Sequence, residues 1–127
     1  MVRVLKLTGL VLAGLIATAA GSASAADANA GKGVFTAQCG VCHTATKGGP
    51  TLVGPNLFGV VGRSAGSLSN FAYSPAMKAS GITWNNAKLA QYLAAPAATI
   101  PGNKMPYAGL KPQTKLDDVI AYLDTLK

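Results

Sequence analysis

An all-α fold is predicted for this 127-residue chain by three observations. Apolar residues recur at helical spacing in separate stretches, no stretch keeps the two-residue alternation of a half-buried strand, and Gly, Pro, Asn and Ser dominate the sequence between them. A first helix runs from Ala28 to Cys39, with Val34, Phe35 and Gln38 leading into a cysteine motif. Lys47 to Ser69 is loop and turn. Ser74 caps a short helix with Pro75 in its first turn, ending at Gly81. Asn85 to Ala94 carries Leu89, Tyr92 and Leu93 on one face and stops before Pro96. Thr114 to Leu126 is the clearest helix. Thr114 is its cap, Asp117 and Asp118 favour its positive end, and Leu116, Val119, Ile120, Leu123 and Leu126 form its apolar stripe.

The N-terminus reads as an address rather than as structure. Arg3 and Lys6 are followed by an apolar run from Leu7 to Ala20 and by Ala23-Ser24-Ala25, the pattern of a secretory signal cleaved after residue 25. The run is shorter than the roughly 20 residues that span a bilayer, so a retained anchor is the weaker reading. Cleavage leaves one domain, residues 26–127, in an exported and therefore periplasmic protein with a formal charge of +5 instead of +7. The basic balance does not point to nucleic acid, because no Arg-rich or aromatic-interleaved patch accompanies it.

Cys39-Gly40-Val41-Cys42-His43 gathers both cysteines and the single histidine of the chain. This is the spacing used for covalent attachment of a c-type haem: two thiols about one helical turn apart add to the two vinyl groups, and the adjacent imidazole reaches the iron. A thioredoxin-like dithiol would need a βαβ pattern that is missing here. Structural zinc wants four ligands and this chain offers no second cluster. A simple disulfide would suit an exported protein but leaves His43 unexplained.

Iron held by His43 has one axial position left. No second histidine exists to fill it, and residues 26–127 hold only Met77 and Met105. Met105 lies in a loop stiffened by Pro101 and Pro106, which can present a thioether without a helix, whereas Met77 falls in a short helical stretch. A methionine can also be a core gap-filler, so an open or water-filled sixth position stays as the alternative.

Residues 26–127 as a whole resemble class I cytochrome c, closest to the cytochrome c2 and mitochondrial branch. The resemblance is carried by Gly31 and Phe35, the Cys39-x-x-Cys42-His43 motif, Gly54-Pro55-Asn56-Leu57, Arg63, Phe71-x-Tyr73, Gly81-Ile82-Thr83-Trp84, Tyr92-Leu93, Pro101-Gly102-Asn103-Lys104-Met105, Gly109 and Ile120-Ala121-Tyr122-Leu123. It implies N- and C-terminal helices that cross near Gly31, Phe35 and Tyr122, with shorter helices and loops wrapping one covalently bound haem c. It also implies His43 and Met105 as axial ligands. The Pro55 carbonyl would accept the His43 ring N–H, Tyr73, Trp84 and Arg63 would donate to a buried propionate, and Tyr92 would donate near the Met105 sulfur. Two positions depart from the family pattern. Asn103 replaces a common threonine and Met77 a common asparagine, which places the usual internal water network in question.

The function implied is one-electron transfer by a soluble monomer rather than catalysis, since His/Met ligation raises the potential of haem iron and leaves no site for substrate. Partners would be redox proteins, a cytochrome bc1-type donor and an oxidase, reductase or photosynthetic acceptor, as in a respiratory chain. Contact with a membrane surface would be transient at most. Lys47, Lys104 and Lys111 would form a thin basic rim that steers acidic partners. The competing class is a haem enzyme or gas-binding haem protein with a labile sixth site.

Overall fold

The computed structural model describes residue 21 and residues 24–127, so the signal segment expected at residues 1–25 lies almost wholly outside the described residues. Five helices follow in order: α1 (Ala28–Gln38), α2 (Pro75–Ala79), α3 (Asn86–Ala94), α4 (Pro96–Thr99) and α5 (Gln113–Asp124). Among the described residues the only extended pairing is a single antiparallel bridge, Ser64 to Thr83. None of these helices is long and apolar enough to cross a membrane.

The architecture rests on α1 crossing α5. Gly31 makes the crossing possible: a Cβ there would overlap the Asp118 backbone carbonyl and stand 2.9 Å from the Cβ of Tyr122. One turn on, Phe35 packs against Tyr122 with ring centroids 5.5 Å apart. On α5 the stripe Leu116, Val119, Ile120 and Leu123 is buried, and Leu89 and Tyr92 of α3 join the same core. Asp118 is buried too, and its carboxylate accepts the backbone N–H of Asp27 at 2.7 Å. Asp27 in turn caps α1, accepting from the N–H groups of Asn29 and Ala30.

Three details differ from expectation. α5 begins a residue before Thr114, with Pro112 at the cap position and no side-chain cap bond, so Thr114 caps nothing. Asp117 and Asp118 consequently fall beyond the first turn, where the helix dipole has little leverage. Asp117 instead accepts from Gln113 at 2.8 Å. Finally, Pro96 does more than end α3: it opens α4 as a first-turn proline. Ser74 does cap α2, accepting from the Met77 N–H, and Asn85 caps α3 in the same way through Lys88.

The long segment between α1 and α2 is fastened by backbone bonds to distant chain. Gly59 N–H donates to Leu126 at 2.8 Å, Gly62 to Trp84 at 2.6 Å and Ala65 to Ile82 at 2.8 Å. A loop without regular structure is thereby held as a wall.

Candidate functional site

That wall, α2, α3 and the segment around residues 103–106 enclose an apolar cavity of about 420 Å³. Eight of the nine residues singled out from the sequence line it: Cys42, His43, Pro55, Arg63, Tyr73, Trp84, Tyr92 and Met105. Cys39 is the exception. It terminates α1, where its N–H donates to Phe35, and packs against the core just outside the cavity.

The motif coils tightly beyond α1. Cys42 and His43 N–H groups both donate to the Cys39 carbonyl, at 3.0 and 2.9 Å, so the two cysteines and the imidazole are gathered in one turn. The two cysteines are not joined to each other in a disulfide. Burial, reinforced by the neighbouring Cys42, pushes the Cys39 thiol up to about 11.

His43 is held from two sides. Its Nδ1 lies 2.7 Å from the Pro55 carbonyl oxygen. Burial is the main influence lowering the imidazole below its ordinary value; the carbonyl bond opposes the shift and the charge of Arg63 adds to it. In a neutral ring Nδ1 carries the hydrogen toward that carbonyl, which leaves Nε2 as a free acceptor for a metal. Gly54 allows this placement, since a Cβ there would meet Nδ1 at 2.7 Å and Nε2 at 2.8 Å. The sequence marked Gly54 only as part of a motif, because its reason lies in a ring eleven residues earlier.

Arg63 brings positive charge to the cavity without a carboxylate partner. Its guanidinium donates to the carbonyls of Asn56 at 3.1 Å and Phe58 at 3.3 Å, and burial lowers its pKa. Asn56 braces the loop, donating to Thr46 and Gly49 carbonyls and accepting the Phe58 N–H. All four acidic residues belong to α5 or the cap of α1. A half-buried cation beside an apolar cavity suits an anionic group on the bound molecule. Tyr73 and Trp84 line the same space, and Trp84 packs on Tyr92 with centroids 5.0 Å apart.

The Tyr92 hydroxyl lies 4.0 Å from the Met105 sulfur and 3.3 Å from the Oδ1 of Asn103. Met77 also lines the cavity from α2, so neither methionine is fully committed to the core.

Of the expected basic rim, Lys47 is exposed. Lys104 sits over the Phe71 ring, 4.8 Å from its centroid, and the Lys111 ammonium donates to the Ala94 carbonyl at 2.8 Å. Sequence reading missed an apolar rim: Val41 and Val53 are 79% and 69% exposed, with Leu52 beside them at 45%. Val53 also lines the cavity.

These residues fit a covalently attached porphyrin: two thiols, a free imidazole nitrogen, a thioether, apolar walls and an uncompensated cation belong to one site. The sequence model of the Cytochrome c family matches residues 28–127. Cytochrome c2 of Blastochloris viridis is 45% identical over 109 residues, covering 86% of this chain and 85% of its own. Cytochrome c-550 of Nitrobacter winogradskyi is 44% identical over 97 residues, covering 76% and 88%. Among solved structures, cytochrome cH from Methylobacterium extorquens is 46% identical with a TM-score of 0.72, covering 78% of this chain and 98% of its own. With one covalently bound haem c as its cofactor, the chain belongs to the cytochrome c family, electron-transfer proteins rather than enzymes.

Proposed function

We propose that this protein is a soluble periplasmic one-electron carrier in which Cys39 and Cys42 hold the haem through thioethers and His43 and Met105 are the axial ligands. The observation that carries this reading is the paired arrangement at one cavity: His43 with Nδ1 engaged by Pro55, and Met105 with Tyr92 beside its sulfur. Bound there, a haem supplies a one-electron iron couple, whose potential a His/Met pair raises.

The chain's own residues do the rest. Pro55 fixes the imidazole orientation and raises its basicity as a ligand. Arg63, Tyr73 and Trp84 offer positive charge and N–H or O–H donors to a propionate, whose unpaired burial would cost several kcal/mol, roughly. Apolar walls keep water away, so little reorganises when the charge of the site changes. Exposed Val41, Leu52 and Val53, together with the thin set of lysines, serve as the contact for redox partners, a cytochrome bc1-type donor and an oxidase, reductase or photosynthetic acceptor. Cleavage after residue 25 releases residues 26–127 as the working domain.

Carbon monoxide tests the ligand set. The ferrous parent should not bind it at neutral pH, whereas Met105→Ala should bind it rapidly and show a lower potential. Rapid binding by the parent would favour a gas-binding or enzymatic haem protein, and an unchanged Met105→Ala spectrum would direct attention to Met77. Haem released by acid-acetone extraction would contradict thioether attachment.

A further inference from the structure

The amide of Asn103 can make four hydrogen bonds, two as donor and two as acceptor, and it makes all four within its own neighbourhood. Nδ2 donates to the carbonyls of Pro96 at 3.0 Å and Ile100 at 2.9 Å. Oδ1 accepts the Met105 N–H at 2.9 Å and the Tyr92 hydroxyl at 3.3 Å. Pro96 and Ile100 are buried, so one end of this clamp is anchored in rigid structure. The other end grips the backbone of Met105 itself.

We propose that Asn103 is the positioning residue for Met105, fixing where the thioether stands and how the Tyr92 hydrogen is shared. The assignment rests on Met105 being the iron ligand. Two features carry it. First, the Met105–Pro106–Tyr107 stretch has one backbone bond of its own, Tyr107 N–H to the Met105 carbonyl, so the anchor at the Met105 N–H comes from the Asn103 side chain. Second, the Tyr92 hydroxyl has a single hydrogen to give. A carbonyl oxygen at 3.3 Å is a nearer and stronger acceptor than a thioether at 4.0 Å, so Asn103 draws that hydrogen away from the sulfur. A sulfur relieved of this donor keeps its lone pairs for the metal.

The test uses the ferric holoprotein, titrated with imidazole as a competing sixth ligand while the methionine-to-iron charge-transfer band is followed. Asn103→Ala should bind imidazole about tenfold more tightly than the parent and show a weakened band, because a freed loop gives up its ligand at lower cost. Tyr92→Phe keeps three of the four clamp bonds and should raise imidazole affinity less than Asn103→Ala does, and a gain equal to or above that of Asn103→Ala would overturn the assignment. Ile120→Ala, a cavity in the α5 core, separates positioning from stability: it lowers the melting temperature and should leave imidazole affinity like that of the parent. Parent-like affinity in Asn103→Ala, or an equal gain in Ile120→Ala, would overturn the assignment. If Asn103→Ala yields no folded holoprotein, Asn103→Ser takes its place, with tighter imidazole binding expected and parent-like binding refuting. Met105→Ala keeps the two ideas apart. Retention of the band in that variant would refute the ligand reading itself, whereas its loss there together with an unchanged Asn103→Ala refutes the positioning role alone.

Discussion

Gly31 and Gly33 lie in the same helix, two residues apart, and the same substitution should move stability in opposite directions. In either position Gly→Ala gains ~1 kcal/mol of helix propensity. At Gly33 nothing stands within 4 Å of the new Cβ, so that gain should appear undiminished. At Gly31 the methyl would overlap the Asp118 carbonyl of α5 and crowd Tyr122. The obstacle is backbone, which has no rotamer to change, and α1 and α5 would have to part by more than about 1 Å to restore ordinary contact distances. Overpacking typically costs about 1–3 kcal/mol, and a backbone clash at the main helix crossing belongs at the upper end. Net of propensity, Gly31→Ala should lose about 2 kcal/mol, which for a domain of this size lowers the melting temperature by about 10 °C. Guanidinium unfolding of the two holoproteins measures the difference as a displacement of midpoint at unchanged slope. The expected gap is about 3 kcal/mol. Two variants within about 0.5 kcal/mol of each other would show that close approach at Gly31 does not govern the crossing.

Gly54→Ala should push the His43 ring off the Pro55 carbonyl and weaken its hold on iron by at least about tenfold, seen as a high-spin ferric fraction at neutral pH; a wholly low-spin spectrum would contradict this. Electron transfer to an acidic partner should slow with added salt, and Lys47→Ala and Lys111→Ala should each flatten that dependence, because the bond to the Ala94 carbonyl holds the Lys111 ammonium without removing its charge. A rate indifferent to salt would leave the Val41, Leu52 and Val53 rim as the whole contact. Burial pushes the Tyr92 phenol up to about 12, above the ordinary value of 10.0. The unfolded chain therefore releases this proton first, and stability is full below pH 10 and lost as pH rises toward 12, by at most about 2 kcal/mol after solvent screening. Tyr92→Phe should remove that component from the stability curve, and an unaltered alkaline slope would exclude Tyr92 as its source.

What the sequence determined by itself was whatever short-range chemistry can encode. The Cys39-Gly40-Val41-Cys42-His43 spacing is contiguous and so is its meaning, and the stripe of α5 and the Ser74-Pro75 start of α2 depend on neighbours within a turn or two. The resemblance to class I cytochrome c extended this to the crossing of the terminal helices at Gly31, Phe35 and Tyr122, which the fold bears out. Tertiary structure decided where a residue answers to partners far along the chain. Its place in the sequence makes Asp118 a dipole partner for its own helix, yet it accepts the Asp27 N–H from 91 residues away. Thr114 has the chemistry of a cap and loses the position to Pro112, because the packed helix starts two residues earlier than a Thr114 cap would set. Lys111 belongs by its sequence to a thin basic rim, and only the fold brings its still-charged ammonium onto the Ala94 carbonyl, seventeen residues earlier. Asn103 looked like a departure from a family pattern, and only the convergence of Tyr92, Pro96, Ile100 and Met105 around it gives its amide four partners. Periodicity and capping are settled by a few consecutive dihedral angles, whereas these contacts depend on where separate segments end up once the core is packed, which no local pattern specifies.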